Sequence, residues 1–142
     1  MKILVLNGPN LNLLSKRNKN QYGNNDLEQI EALMKKEYPD IDFTFFQSNI
    51  EGELVTRIQK ADEYYDGLIL NPGGYSHTSV AIHDALELCS IPKIEVHLSH
   101  LANREEFRQN LVTARKTNGY ISGFSENGYL AAVYLILKLS SK

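Results

Sequence analysis

Apolar and polar positions along this chain switch repeatedly between a strand-like and a helix-like period. Ile3-Leu-Val-Leu6 is a short continuous apolar run ended by Gly8-Pro9, the pattern of a strand buried on both faces. Leu27, Ile30, Leu33 and Met34 then recur at helical spacing, behind Asn25 as N-cap with Glu28 three residues on, and Pro39 stops that helix. Ile41 to Phe46 reads as a second strand, rich in aromatic and β-branched residues. Ser48 to Glu51 has capping-box spacing, and Leu54, Val55, Ile58 and Ala61 continue one helix face. Gly67 to Leu70 predicts a third strand, followed by Asn71-Pro-Gly-Gly-Tyr-Ser-His77 and a helix from Thr78 to Leu88. Pro92 introduces a fourth strand, Lys93 to Leu98. Arg104 to Arg108 predicts a short helix, Tyr120 to Phe124 a fifth strand, and Asn127 to Leu139 a final amphipathic helix.

Strands alternating with helices predict an α/β fold, a parallel sheet with helices on both faces. The expected topology is a flavodoxin-like, doubly wound, five-stranded parallel sheet in three layers. In such sheets ligands bind beyond the carboxyl ends of the strands. Four polar segments fall there: Asn7-Gly-Pro-Asn10, Gln47-Ser-Asn49, Asn71 to His77, and His97-Leu-Ser-His100. Each alone is an ordinary turn sequence; four at one edge point to a site.

The fourth strand is the most informative. Side chains alternate faces along a strand, so Ile94, Val96 and Leu98 share one side while Glu95, His97 and Ser99 share the other. Burying Glu-x-His-x-Ser costs desolvation unless the groups are paired. A carboxylate beside a histidine fixes its tautomer and raises its basicity. A purely structural Glu–His pair would look the same, but its position at the carboxyl end of the strand favours function.

Length and composition narrow the picture. The 142 residues suit one domain, 1–142, without a second one to close a cleft. The single cysteine, Cys89, excludes a disulfide framework and a multi-thiolate metal site, and its place at the end of an apolar helix makes it a core residue. No apolar run approaches the ~20 residues that span a bilayer, and the N-terminus lacks a signal-peptide pattern, so the expectation is a cytoplasmic protein with no membrane partner. The net charge of −2 argues against a nucleic-acid partner. That total hides an asymmetry, because residues 1–25 carry Lys2, Lys16, Arg17 and Lys19 and no acid. The long polar stretch from Asn7 to Asn25 is therefore either a solvated loop or a cationic lid, about 11–25, over an anionic ligand.

Other chemistry is poorly supported. His77 and His83 diverge on a helix, and His97 and His100 lack matching carboxylates, so no metal site is expected. G-x-G-x-x-G, a P-loop and G-x-S-x-G are all missing, and no lysine sits at an apolar strand centre.

Leu6-Asn-Gly-Pro-Asn-Leu-Asn-Leu-Leu14, Lys16-Arg17, Tyr22-Gly23, Phe46-Gln-Ser-Asn49, Glu51-Gly-Glu-Leu54, Asn71-Pro-Gly-Gly-Tyr-Ser-His-Thr-Ser79, Ile94-Glu-Val-His-Leu-Ser99 and Arg104-Glu-Glu-Phe-Arg108 occur in this order. Together they resemble the type II 3-dehydroquinate dehydratases over nearly the whole chain. The resemblance implies a hydro-lyase that removes water from 3-dehydroquinate, by trans elimination through an enolate, to give 3-dehydroshikimate. It implies a step of the shikimate pathway to aromatic amino acids, with quinate breakdown or a non-catalytic small-ligand binder as alternatives. No cofactor, metal or covalent intermediate is implied.

The resemblance also assigns roles. Tyr22, as a tyrosinate, takes the proton next to the ketone. An unperturbed tyrosine has a pKa of about 10, and a cation within ~4–6 Å favours the ionised form, which is the role implied for Arg17. Asn10 stabilises the enolate through a water. His97, oriented by Glu95, is the general acid for the leaving hydroxyl. Asn71 and the backbone amides of Leu98 and Ser99 hold the substrate carboxylate, while His77 and Arg108 hold ring hydroxyls. Asp84, seven residues beyond His77 on the same predicted helix, reaches a neighbouring subunit of a homo-oligomer, a dodecamer built from trimers.

Overall fold

The computed structural model describes Met1–Lys142. Strands β1 (Lys2–Asn7), β2 (Asp42–Gln47), β3 (Gly67–Asn71), β4 (Lys93–His97) and β5 (Gly119–Ser122) form one sheet in the order β2-β1-β3-β4-β5. Every neighbouring pair is parallel. This is the flavodoxin-like order, in which the chain leaves β1 on one side for β2 and returns on the other for β3. Six α-helices accompany the strands: α1 (Lys19–Tyr22), α2 (Leu27–Glu37), α3 (Glu51–Gln59), α4 (Ala61–Tyr64), α5 (Val80–Leu88) and α6 (Asn127–Ser140).

The period of two along the strands divides the core into two layers. Ile3, Val5, Ile69, Ile94 and Val96 point to the side of α2 and α6, where they pack with Ile30, Met34, Tyr129, Val133 and Ile136. Leu4, Leu6, Leu68 and Leu70 point to the other face and meet Leu54 and Ile58 of α3 and Ile82 and Leu86 of α5. Burying one such side chain contributes about 1.5–3 kcal/mol, so these two layers are the main source of stability. The outer strand β2 is only partly covered. No helix is long and apolar enough to cross a membrane.

Several local expectations are corrected. The N-cap of α2 is Asp26, not Asn25: its Oδ1 accepts from Gln29 N at 2.9 Å while Gln29 Oε1 accepts from Asp26 N at 2.9 Å. Both residues have a capping-box partner three positions on, and the anionic carboxylate suits the positive end of a helix better than the amide. Ser48 does not box with Glu51; its hydroxyl donates to Glu53 Oε2 at 2.5 Å and accepts from Ile50 N at 2.9 Å. Helix α5 starts at Val80 rather than Thr78, because Ser79 caps Ile82 N at 2.9 Å. His77 consequently lies in a preceding 3-10 turn, Gly73–His77, and shares no helix face with Asp84. The short helix predicted over Arg104–Arg108 is a 3-10 turn at Glu106–Gln109.

The segment read as a long polar loop also has structure. It folds into a 3-10 turn, Leu11–Lys16, and then α1. Leu11, Leu14 and Tyr22 are buried in the same layer as α2 and α6, which ties the segment to the core through three anchors. Lys16 and Lys19 remain exposed.

Candidate active site

The site is built on the carboxyl edge of the sheet. Asn7, Gln47 and Asn71 end three adjacent strands in register, Asn7 opposite both of the others. Hydrogen bonds fix all three carboxamides. The Tyr129 hydroxyl, fully buried in α6, donates to Asn7 Oδ1 at 2.5 Å and accepts from Asn71 Nδ2 at 3.1 Å. Asn71 Oδ1 accepts from Gly73 N at 3.1 Å, which fixes the start of the turn that carries His77. Gln47 Nε2 donates to Gly8 O at 3.2 Å.

Above this edge is a cleft of about 360 Å³, open mouth included. Tyr22 and Arg17 enter from the folded-back segment, Asn71 and His77 from the end of β3, and His97, Leu98 and Ser99 from the end of β4. Arg104 and Arg108 come from the segment that follows. No carboxylate lines the cleft, and three guanidiniums do, so its field favours an anion. The backbone N–H groups of Leu98 and Ser99 have no acceptor within the chain.

The Arg17 guanidinium donates to the Tyr22 hydroxyl, and its carbon lies 3.9 Å from the centre of the Tyr22 ring. Burial pushes the Arg17 pKa below its ordinary value; the Tyr22 phenol pulls it up, and Arg108 and Arg104 push it down again. Arginine stays charged throughout the working range, so Tyr22 sits against a permanent cation. The Arg104 guanidinium also approaches this ring, its carbon 5.2 Å from the centre.

His97 Nε2 lies 2.7 Å from Glu95 Oε1, and Glu95 is completely buried. Glu95 also accepts from the Ser76 hydroxyl at 2.5 Å and from the Thr113 hydroxyl at 2.7 Å. The His77 ring stacks on that of His97, centroids 6.2 Å apart, and its Nδ1 lies 3.0 Å from Asn110 O. A carbonyl only accepts, so this nitrogen carries a hydrogen. Burial holds the His77 pKa below its ordinary value, with the Asn110 carbonyl opposing and nearby cations adding to the effect. Glu105 anchors Arg108 at 2.5 Å, and this contact holds its carboxyl below the usual carboxylate range.

Of the residues expected from sequence, Tyr22, Arg17, Asn71, His77, His97, Leu98, Ser99 and Arg108 line one cleft, with Glu95 directly behind His97. Two do not. Asn10 is exposed, with a left-handed backbone (φ 69°), and its N–H donates to Asn49 Oδ1 at 3.0 Å. Asp84 is exposed on α5 and pairs with His83 Nδ1 at 2.8 Å. Arg104 has no role assigned from sequence. Its Nη1 donates to Ser99 Oγ at 2.9 Å, while its buried Nε has no hydrogen-bond partner. Ser76 and Thr113 are likewise absent from the sequence-based set. No group of three His, Cys, Asp or Glu side chains is placed to hold a metal ion.

The sequence profile described as Dehydroquinase class II matches residues 1–137. A 3-dehydroquinate dehydratase of Fusobacterium nucleatum subsp. nucleatum is 53% identical over 142 residues, covering 96% of this chain and 97% of that protein. One from Clostridium perfringens is 52% identical over 136 residues, 94% of each chain. The crystal structure of a type II dehydroquinase from Butyrivibrio crossotus superimposes with a TM-score of 0.93 at 45% identity, covering 96% of this chain and 97% of that one. With profile, relatives and superposition all spanning nearly the full length, the chain belongs to the class II dehydroquinase family.

Proposed function

We propose that this protein is a 3-dehydroquinate dehydratase of the shikimate pathway, and that Tyr22 and His97 divide the chemistry between them. The observation that carries the reading is the Arg17–Tyr22 contact facing a carboxylate-backed histidine across a cleft lined by cations. The substrate is an anion with an acidic C–H beside a ketone and a hydroxyl one carbon further on. Tyrosinate at Tyr22, stabilised by Arg17, takes the C–H proton, and the electron pair moves into the ketone as an enolate. The enolate then reforms the carbonyl and expels hydroxide, to which His97 gives a proton, so that water leaves. Tyr22 has gained one proton and His97 has lost one, and a single transfer between them resets the site.

The Leu98 and Ser99 amides and Asn71 suit the substrate carboxylate, and His77 and Arg108 suit ring hydroxyls. Asn10 would reach the enolate through water. We extend the proposal to a cytoplasmic homododecamer of trimers in which Asp84 completes a neighbour's site. In its favour, the Asp84 carboxylate is exposed on the outer face of α5 and away from the cleft of its own chain.

The test is the absorbance of the conjugated enone product on adding 3-dehydroquinate to purified protein. Tyr22→Phe and Arg17→Ala are each expected to lose most of kcat with little change in KM, and His97→Ala to abolish turnover. Near-normal turnover in Tyr22→Phe would remove it as the base.

A further inference from the structure

We propose that Thr113 and Ser76 are positioning residues for His97: their hydroxyls hold the Glu95 carboxylate so that it accepts from His97 Nε2 and leaves Nδ1 as the nitrogen that meets the substrate. The inference rests on the dehydratase reading for its kinetic consequence, though not for its structural one.

The contacts around Glu95 favour one arrangement of hydrogens. Glu95 is completely buried and has three partners: Ser76 Oγ at 2.5 Å and His97 Nε2 at 2.7 Å on Oε1, and Thr113 Oγ1 at 2.7 Å on Oε2. Ser76 and Thr113 are both completely buried. The only other partners of the Ser76 hydroxyl, His97 Nε2 and Thr113 Oγ1, are each 3.4 Å away, so its hydrogen goes to Glu95. With both oxygens receiving hydroxyl hydrogens, the charged form of Glu95 is stabilised, and the one hydrogen shared between Oε1 and His97 Nε2 rests on the imidazole, the stronger base. The arrangement is satisfied by a carboxylate and by a hydrogen on His97 Nε2. The proton that leaves for hydroxide is then the one on Nδ1 of the imidazolium. The ring that remains is the neutral Nε2–H tautomer, still bonded to Glu95.

Backbone contacts make the two hydroxyls one device. Val112 N and Thr113 N donate to Ser76 O at 2.8 and 3.3 Å. The same strap presents Asn110 O to His77 Nδ1 at 3.0 Å. The loop carrying Thr113 thus sets the hydrogen position on both rings that face the cleft. A carboxylate freed of the Thr113 hydroxyl would turn about its remaining bonds, and the imidazole with it.

The experiment uses full-length protein with ¹⁵N-labelled histidine, observed by magic-angle-spinning NMR at a pH where His97 is neutral. The His97 signals are assigned by their loss in His97→Asn. The wild type is expected to show the Nε2–H tautomer alone. Thr113→Val is expected to show mixed tautomers, with kcat reduced about 10- to 100-fold and KM changed less than about twofold. Thr113→Ser is expected to restore both. A folded Thr113→Val with the wild-type tautomer and kcat within about twofold would overturn the proposal. If Thr113→Val does not fold, Ser76→Ala takes its place: mixed tautomers with reduced kcat support the positioning role, and wild-type behaviour in both overturns it. Wild-type protein that shows the Nε2–H tautomer but no dehydration of 3-dehydroquinate would overturn the function while supporting the positioning role.

Discussion

Replacing Tyr129 by phenylalanine removes one oxygen atom from a site with no access to water. That hydroxyl serves two side chains at once, Asn7 Oδ1 as donor and Asn71 Nδ2 as acceptor. Asn7 is 2% exposed and Asn71 3%, so neither gains a water in compensation. Leaving a buried polar group without its partner costs about 1–3 kcal/mol, and two are left here, giving about 2–6 kcal/mol. At about 2–4 °C per kcal/mol for a domain of this size, Tm should fall by about 4–24 °C. Urea unfolding followed by circular dichroism measures the loss directly. Tyr134→Phe, at a position 53% exposed, is the matched control and should change stability by less than about 0.5 kcal/mol. A Tyr129→Phe midpoint equal to that of the control would refute the bridging role. Burial also pushes the Tyr129 pKa well up, with the Asn71 contact opposing. The native state therefore keeps a proton that the unfolded state releases above about pH 10, and this contribution to stability is lost as pH rises further.

Three more outcomes are expected. Burial and the Asp62 carboxylate push the Cys89 thiol up to about 11, so a disulfide reagent at pH 8 should label native protein far more slowly than urea-unfolded protein. Equal rates would show that the thiol is not held in the core. His77 binds its proton less readily when folded, so its share of stability is present above about pH 6.5 and erodes below it, by at most about 1.4 kcal/mol per pH unit. Between pH 7 and 5.5, wild type should therefore lose more stability than His77→Asn, and identical slopes would contradict this. Finally, a Cβ at Gly8 would sit 2.3 Å from the Pro72 carbonyl oxygen, whereas one at Gly52 in α3 would meet nothing within 4 Å. Gly8→Ala should cost about 3 kcal/mol in urea unfolding and Gly52→Ala should add about 0.5–1 kcal/mol; the reverse order would contradict the packing of Gly8 on the turn after β3.

What the sequence revealed follows the range of the forces involved. A short apolar run is a local property, so β1, β3 and β4 were legible, and the alternation of side chains along β4 put Glu95 and His97 on one face. The cleft residues at strand ends were legible because parallel topology brings strand ends together whatever the loops do. Capping was ambiguous at Asn25 and Asp26 because both spacings fit, and only the charge of the carboxylate separates them. The folded-back segment looked like a loop because its anchors, Leu11, Leu14 and Tyr22, are few and separated by polar residues. Arg104 entered only as the first residue of a short predicted helix, with nothing local to show that its side chain turns into the cleft. Ser76 and Thr113, 37 residues apart, carry no local signal that they share a carboxylate.

The row of Asn7, Gln47 and Asn71 along the sheet edge has a further consequence for how the site responds to acid and alkali. A carboxamide neither takes up nor gives up a proton between about pH 2 and 12. The sheet edge below the cleft, which Asn71 lines, therefore keeps the same charge and the same hydrogen-bonding pattern while His77 changes its charge. His77 gains and loses its proton above a foundation that does not titrate.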